Sequence, residues 1–284
     1  MRIDSHHHVW DLSVRPQDWM VGEGLDAVKR SFDMNDFRAA SASTGIEKTV
    51  LVQTVMKYVE TPEFLALAAS DDLIAGVVGW LDIGADDAIS HLDEYEIVKG
   101  HEYLVGIREV AHDLPDADFL MRPQVIKNVR ELGKRGYAYD LLTKTPHMRA
   151  AIELVKEAPE TQFVIDHISK PMIGEGVMEP WAELMKTLAS FPNTVCKISG
   201  MTTEAKWDSW KTNDFRPYTD LLLEIFGPSR LMFGSDWPVS LLASTYQEVV
   251  TLAEELTNSL STSEKEEFWS GTAIRAYGLD IGEK

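Results

Sequence analysis

Apolar residues along this chain fall into two alternating patterns. Short, nearly continuous runs rich in Val, Ile and Leu occur at 48–54 (KTVLVQT), 74–81 (IAGVVGWL), 104–110 (LVGIREV) and 162–168 (QFVIDHI). Further strand candidates, most of them also apolar, stand at 2–8 (RIDSHHH), 137–142 (YAYDLL), 194–199 (TVCKIS) and 230–236 (RLMFGSD). Such runs predict parallel strands covered on both faces. Between them the period changes. Met148, Ala151, Ile152 and Val155 fall on one helical stripe, as do Trp181, Leu184 and Leu188 after Pro180. Tyr218, Leu221, Leu222 and Ile225 after Pro217 repeat it, and so do Val249, Leu252, Ala253 and Leu256. Thr61-Pro62 and Thr145-Pro146 read as capping hydroxyls followed by proline in the first turn.

Eight strands alternating with helices over about 250 residues predict an α/β fold of the (β/α)8 barrel type. A doubly wound open sheet would favour a Gly-rich phosphate loop after the first strand, and Gly22-x-Gly24 is too little to supply one. No linker, repeat or low-complexity segment interrupts the pattern, so residues 1–284 are expected to form a single barrel domain. The longest irregular stretch, about residues 9–33, follows the first strand. In a barrel that loop lies on the active-site face, which places Trp10, Asp11, Arg15, Asp18 and Trp19 around a pocket.

Composition narrows the partners. With 27 Lys and Arg against 46 Asp and Glu, the formal charge is −19. That balance argues against nucleic acid and against an anionic membrane surface. A single cysteine, Cys196, excludes an intrachain disulfide and reads as a small core residue. Neither a signal peptide nor a run of about 18 apolar residues is present, so a cytoplasmic location is expected.

Polar residues ending apolar strands are where a barrel places its chemistry. His6 and His8 share one face of the first strand, with Asp4 one layer deeper and His7 pointing the other way. His167 ends the sixth run and Asp236 the eighth. Three imidazoles and one carboxylate on one rim suit a metal-assisted or metal-free activation of water. Structural, hydrogen-bonded histidines are the alternative for the first pair taken alone. Gln53, Arg108, Asp140 and Lys197 also sit at strand ends within reach of a substrate, or serve as buried polar groups. A G-x-S-x-G nucleophile elbow is missing, which counts against a serine esterase.

These residues and their flanks, IDSHHHVWD, GVVGWLDI, VGIREV, FVIDHISKP, CKISGMTTEAKW and RPYTDLLLEIFGPSRLMFGSDWPV, resemble the sugar-lactone hydrolases of the amidohydrolase superfamily. That group contains L-fuconolactone and L-rhamnonolactone hydrolases and is similar to the pyrone-dicarboxylate lactonases. The resemblance runs through the whole chain and is most specific over 196–239. It implies a small neutral aldonolactone as substrate, with Asp236 as the base that activates water. His6, His8 and His167, with Asp236, would bind one divalent metal, zinc first, or would polarise the carbonyl with no metal at all. Trp10, from its place in the loop after the first strand, and Gln53, Arg108, Asp140 and Lys197, from their strand-end positions, are the candidates for contact with the substrate. No strand-end lysine is placed to bridge two metals. Two departures from the family pattern bear on specificity: Glu109 follows Arg108 where a His is frequent, and His7 replaces a frequent Gln. A metal-dependent decarboxylase of the same superfamily and a non-catalytic sugar- or metal-binding barrel are the competing readings, and the oligomeric state is left open.

Overall fold

In the computed structural model, which describes residues 1–282, the eight expected strands form one parallel sheet whose neighbours follow chain order. They are β1 (Ile3–His7), β2 (Lys48–Val52), β3 (Ile74–Gly79), β4 (Leu104–Glu109), β5 (Ala138–Leu141), β6 (Phe163–Ile165), β7 (Thr194–Ile198) and β8 (Leu231–Phe233). The first and last strands meet beyond β8. The His8 amide donates to the Trp237 carbonyl (2.7 Å) and the Asp236 amide to the His6 carbonyl (2.8 Å). Helices α1 (Met34–Ser41), α2 (Glu60–Ala68), α3 (Ala88–Tyr95), α4 (Pro123–Lys134), α5 (Met148–Glu157), α6 (Trp181–Ala189), α7 (Thr212–Phe226) and α8 (Tyr246–Leu256) alternate with the strands. Two short helices, α9 (Thr262–Glu266) and α10 (Thr272–Tyr277), end the chain.

Two apolar layers result. Alternate strand residues pack outward against α1 to α8. A separate cluster takes members from every strand, among them Ile3, Val50, Val78, Val105, Ala138, Val164, Val195 and Met232, and from α10, among them Ala273, Ala276 and Tyr277. Only the barrel interior can gather all eight strands into one cluster, so α10 plugs the N-terminal end of the barrel. Polar side chains occupy the interior above this floor. Among the described residues, no helix is long and apolar enough to cross a membrane.

The structure departs from the sequence expectations at five places. Thr145 caps no helix; it opens a short 3-10 turn, Thr145–His147, ahead of α5, and neither element has a side-chain cap. Thr61 does not cap α2, which starts at Glu60; its hydroxyl instead accepts the Trp80 amide at 3.0 Å, tying the helix to the end of β3. The helix expected after Pro217 begins earlier, at Thr212, with the proline inside it. β6 and β8 stop short of His167 and Asp236. Finally, Asp4 does not share a face with His6. The pairing of β1 with β2 shifts register between Asp4 and His7. The Asp4 carboxylate accepts from the Tyr246 hydroxyl of α8 (2.9 Å) and from the Ser235 amide (2.9 Å), in the outer layer. A bulge of this kind breaks the two-residue alternation on which the sequence argument rests.

Candidate active site

The chain leaves β6 and β8 in an unusual way. His167, Ile168, Ser169 and Lys170 have φ of 49°, 49°, 57° and 48°, and Asp236 has 56°. A left-handed backbone at a non-glycine residue costs about 1–3 kcal/mol and clusters at functional sites. All five of these residues lie at the barrel mouth. Two glycines let the site close up. A Cβ on Gly200 (φ +60°) would lie 2.7 Å from the His167 ring, and one on Gly234 would lie 2.9 Å from the His6 Cβ.

The four residues singled out from the sequence converge. Oδ1 of Asp236 lies 3.4 Å from His8 Nε2, 3.8 Å from His167 Nε2 and 3.9 Å from His6 Nε2. His6 and His8 face each other Nε2 to Nε2 at 3.1 Å. His7 points away, as expected, and packs its ring on Phe37 of α1 at 4.2 Å. His8 Nδ1 donates to the Val52 carbonyl (2.8 Å), and His167 Nδ1 pairs with the Ser199 hydroxyl (2.9 Å). Each ring is thus oriented from behind.

Burial sets the charges. It drives His6 and His167 well below the usual imidazole range, so both rings stay neutral. Burial also pushes the Asp236 carboxyl up, but the adjacent His167 and His8 outweigh it and bring it down to about 2. A neutral imidazole is a metal ligand or a hydrogen-bonding group, and an ionised carboxylate is a proton acceptor. One ligand atom each from His6, His167 and Asp236 falls within 4.8 Å of the others, so nitrogen and oxygen donors that suit zinc are brought together here.

Above this group opens a cavity of about 280 Å³, lined by His8, His167, Asp236, Arg108, Trp10 and Trp19, with Thr54, His112, Asp113 and Lys170 among the polar groups of its wall. Trp10 and Arg108 therefore reach the cavity, as expected. Gln53, Asp140 and Lys197 do not line it, so the expectation that they touch substrate fails on depth. Gln53 takes part through its carbonyl, which accepts from Arg108 Nη2 (2.7 Å). Asp140 and Lys197 are fully buried beneath, ion-paired at 2.7 Å. His6 also lies below the cavity wall rather than in it, with no exposed surface. Of the 9–33 loop, Trp19 joins Trp10 in the wall. Asp11 and Arg15 face a separate cleft against α2, and Asp18 is exposed to solvent.

The two family departures also sit outside the cavity. His7 faces α1, and Glu109 turns outward to accept the Trp80 indole N–H (3.1 Å) and the Val110 amide (2.7 Å). Sequence reasoning missed Asp166, which joins Arg108 Nη1 (3.0 Å) and Lys197 (2.9 Å) beneath the site. Its adjacency to His167 in an apolar run was the available signal. Lys170, held by Glu204 at 2.7 Å, was missed because it lies beyond the strand.

The amidohydrolase family model matches residues 3–279. The chain is 34% identical to an L-fucono-1,5-lactonase of Burkholderia ambifaria over 86% of its length and 83% of that protein. It is 33% identical to an L-fucono-1,5-lactonase of Burkholderia multivorans, over 98% of this chain and 96% of the relative. A crystal structure of an amidohydrolase from Burkholderia multivorans with bound zinc superposes with a TM-score of 0.91 at 33% identity, covering 99% of this chain and all of that one.

Proposed function

The chain belongs to the amidohydrolase family and is a hydrolase that acts on lactones, and on that premise we propose that its substrate is an aldonolactone of the L-fucono or L-rhamnono type, opened to the aldonic acid. One observation carries the reading: an ionised carboxylate, Asp236, sits at the foot of a small cavity against the imidazoles of His8 and His167. At about 280 Å³ the cavity is near the low end for small-molecule sites, a size suited to one sugar ring. The indoles of Trp10 and Trp19 offer an apolar wall for a ring face, while Thr54, His112 and Lys170 offer partners for hydroxyls.

The chemistry follows from the parts. Asp236 accepts a proton from water as the water oxygen bonds to the lactone carbonyl carbon. Charge developing on the carbonyl oxygen is met by donors on the wall, with Arg108 and the imidazole of His167 in place to supply them. The bond from the carbonyl carbon to the ring oxygen then breaks, and the proton held by Asp236 passes to the departing alkoxide. Where a divalent metal is bound, His6, His8, His167 and Asp236 would hold it, and it would polarise the carbonyl and acidify water.

A panel of aldono-1,4- and 1,5-lactones with a pH indicator tests the proposal. The expected result is fastest acid release from an L-fucono- or L-rhamnono-lactone. Acid release from no lactone overturns it. Carbon dioxide evolution from an aromatic acid would mark the decarboxylase instead, and tight sugar binding without turnover would mark a binding protein.

A further inference from the structure

Thr54 lines the substrate cavity two residues beyond the end of β2, and its backbone is gripped from both sides. The Gln53 carbonyl accepts from Arg108 Nη2 at 2.7 Å, while the amide of the same peptide, on Thr54, donates to Glu60 Oε2 at 2.7 Å. Glu60 Oε2 also accepts the Val55 amide at 3.2 Å, and its Oε1 accepts the Thr54 hydroxyl. One buried carboxylate therefore takes three donors from two consecutive residues.

We infer that Glu60 is a positioning residue that commits the Thr54 hydroxyl proton away from the cavity, so that Thr54 meets a substrate hydroxyl as an acceptor only. The inference deepens the lactonase reading and rests on it for the hydroxyl-bearing ligand. A carboxylate has no proton to give, and a threonine hydroxyl has one proton and two lone pairs. With that proton spent on Glu60, only lone pairs remain for the cavity. The surroundings favour the anion that this requires. Burial pushes the Glu60 carboxyl up, and the Thr54 hydroxyl, the two amides and Arg15 oppose it. Glu60 is also the first residue of α2, where the helix N-terminus favours negative charge. Arg15 approaches Oε1 to 3.9 Å and donates through Nη2 to both oxygens of Glu63, at 3.0 and 2.8 Å. That moors the loop bearing Trp10 and Trp19 to the same helix. The cavity wall is thereby set by α2, an element set back from the cavity itself.

Specificity follows. An acceptor held toward the cavity is satisfied by a sugar hydroxyl and is left unpaired when that hydroxyl is missing from the ring.

Two measurements test this. The first needs no lactone: NMR of the wild type should show a Thr54 hydroxyl proton protected from exchange and shifted downfield by the carboxylate. In Glu60→Gln the side-chain oxygen stays with the two backbone amides and the amide nitrogen falls on the Thr54 side, where it donates to Oγ1 and releases the hydroxyl proton to the cavity. The downfield signal should therefore vanish. Its absence from the wild type, or its persistence in the variant, overturns the inference. The second measurement compares kcat/KM on the best lactone of the panel with that on its monodeoxy analogues. One analogue should lose about tenfold, the scale of a single hydrogen bond. Thr54→Val should erase that difference and Thr54→Ser should keep it. An equal fall on parent and analogues in Thr54→Val marks a merely structural threonine and overturns the inference. Should Glu60→Gln fail to fold, the wild-type hydroxyl signal and the threonine variants decide. A lactone panel without turnover but with the expected hydroxyl signal would defeat the substrate reading and leave the role of Glu60 standing.

Discussion

Replacing Asp236 by Asn preserves the shape of the side chain but removes its charge and its capacity to take a proton. General-base catalysis contributes about 10²–10⁴-fold, or about 3–5 kcal/mol of barrier, so turnover of the lactone should fall by that range. The structure also fixes where pH should act. With the carboxyl brought down to about 2, it is ionised at every pH in which the protein is ordinarily handled, and at pH 5 only about one molecule in a thousand carries the proton. Hydrolysis should therefore show no acid limb from Asp236 between pH 4.5 and 8, contrary to the expectation for an ordinary buried carboxylate, whose desolvation would place the limb near neutrality. The assay is kcat and kcat/KM on the preferred lactone for both proteins across that range, with circular dichroism at each pH to confirm folding. A folded Asn variant with near wild-type turnover refutes the assignment of the base. A wild-type acid limb with a midpoint near 6, with the fold intact, refutes the electrostatic account.

Three further outcomes follow from the geometry. Burial raises the Glu109 carboxyl from 4.5 to about 7, more than its bonds from Trp80 and Val110 offset, so between those values the folded state binds the proton more tightly and stability falls as pH rises. Glu109→Gln should accordingly gain about 3 kcal/mol in urea melts at pH 8 and nothing at pH 4; an equal gain at both would show that charge is not the cause. Gly200→Ala must fit a Cβ 2.7 Å from the His167 ring at a φ of +60°, and the displaced imidazole should cost about 100-fold in kcat while the fold persists; unchanged kcat would show that His167 is not held to tolerance. Chelator-treated protein should keep its lactonase activity, because Lys197 and Arg108 crowd the His6 ring with cations; loss of activity restored by zinc would show that the metal is needed.

The strands and the converging residues were legible because each interrupts an apolar run. His6, His8, His167 and Asp236 have no packing reason to sit among Val, Ile and Phe, and strand ends in a barrel share one rim. What the pattern does not carry is depth. Lys197, Asp140 and Gln53 interrupt their strands just as visibly as Arg108 does, yet only Arg108 reaches the cavity. Alternation gives a face, not a height. Height depends on how far each strand is staggered against the next and on local bulges, such as the one that turns Asp4 outward.

The buried layer shows why the two kinds of position still belong together. An uncompensated charge in the interior is costly, so a lone Lys197 inside the barrel implies a carboxylate partner somewhere on the facing strands. Sequence alone supplies that requirement but not the partner, because Asp140, Asp166 and the Tyr277 hydroxyl come from β5, the end of β6 and the last helix. Lys197 is hydrogen-bonded to Asp140 and to His6 and ion-paired with Asp166 at 2.9 Å. A chain of buried polar groups thus runs from the barrel floor at Tyr277 through Asp140 and Lys197 to His6, directly beneath His8 and Asp236. The residues that line the cavity decide what can bind there, while those beneath it hold the His6 ring in place.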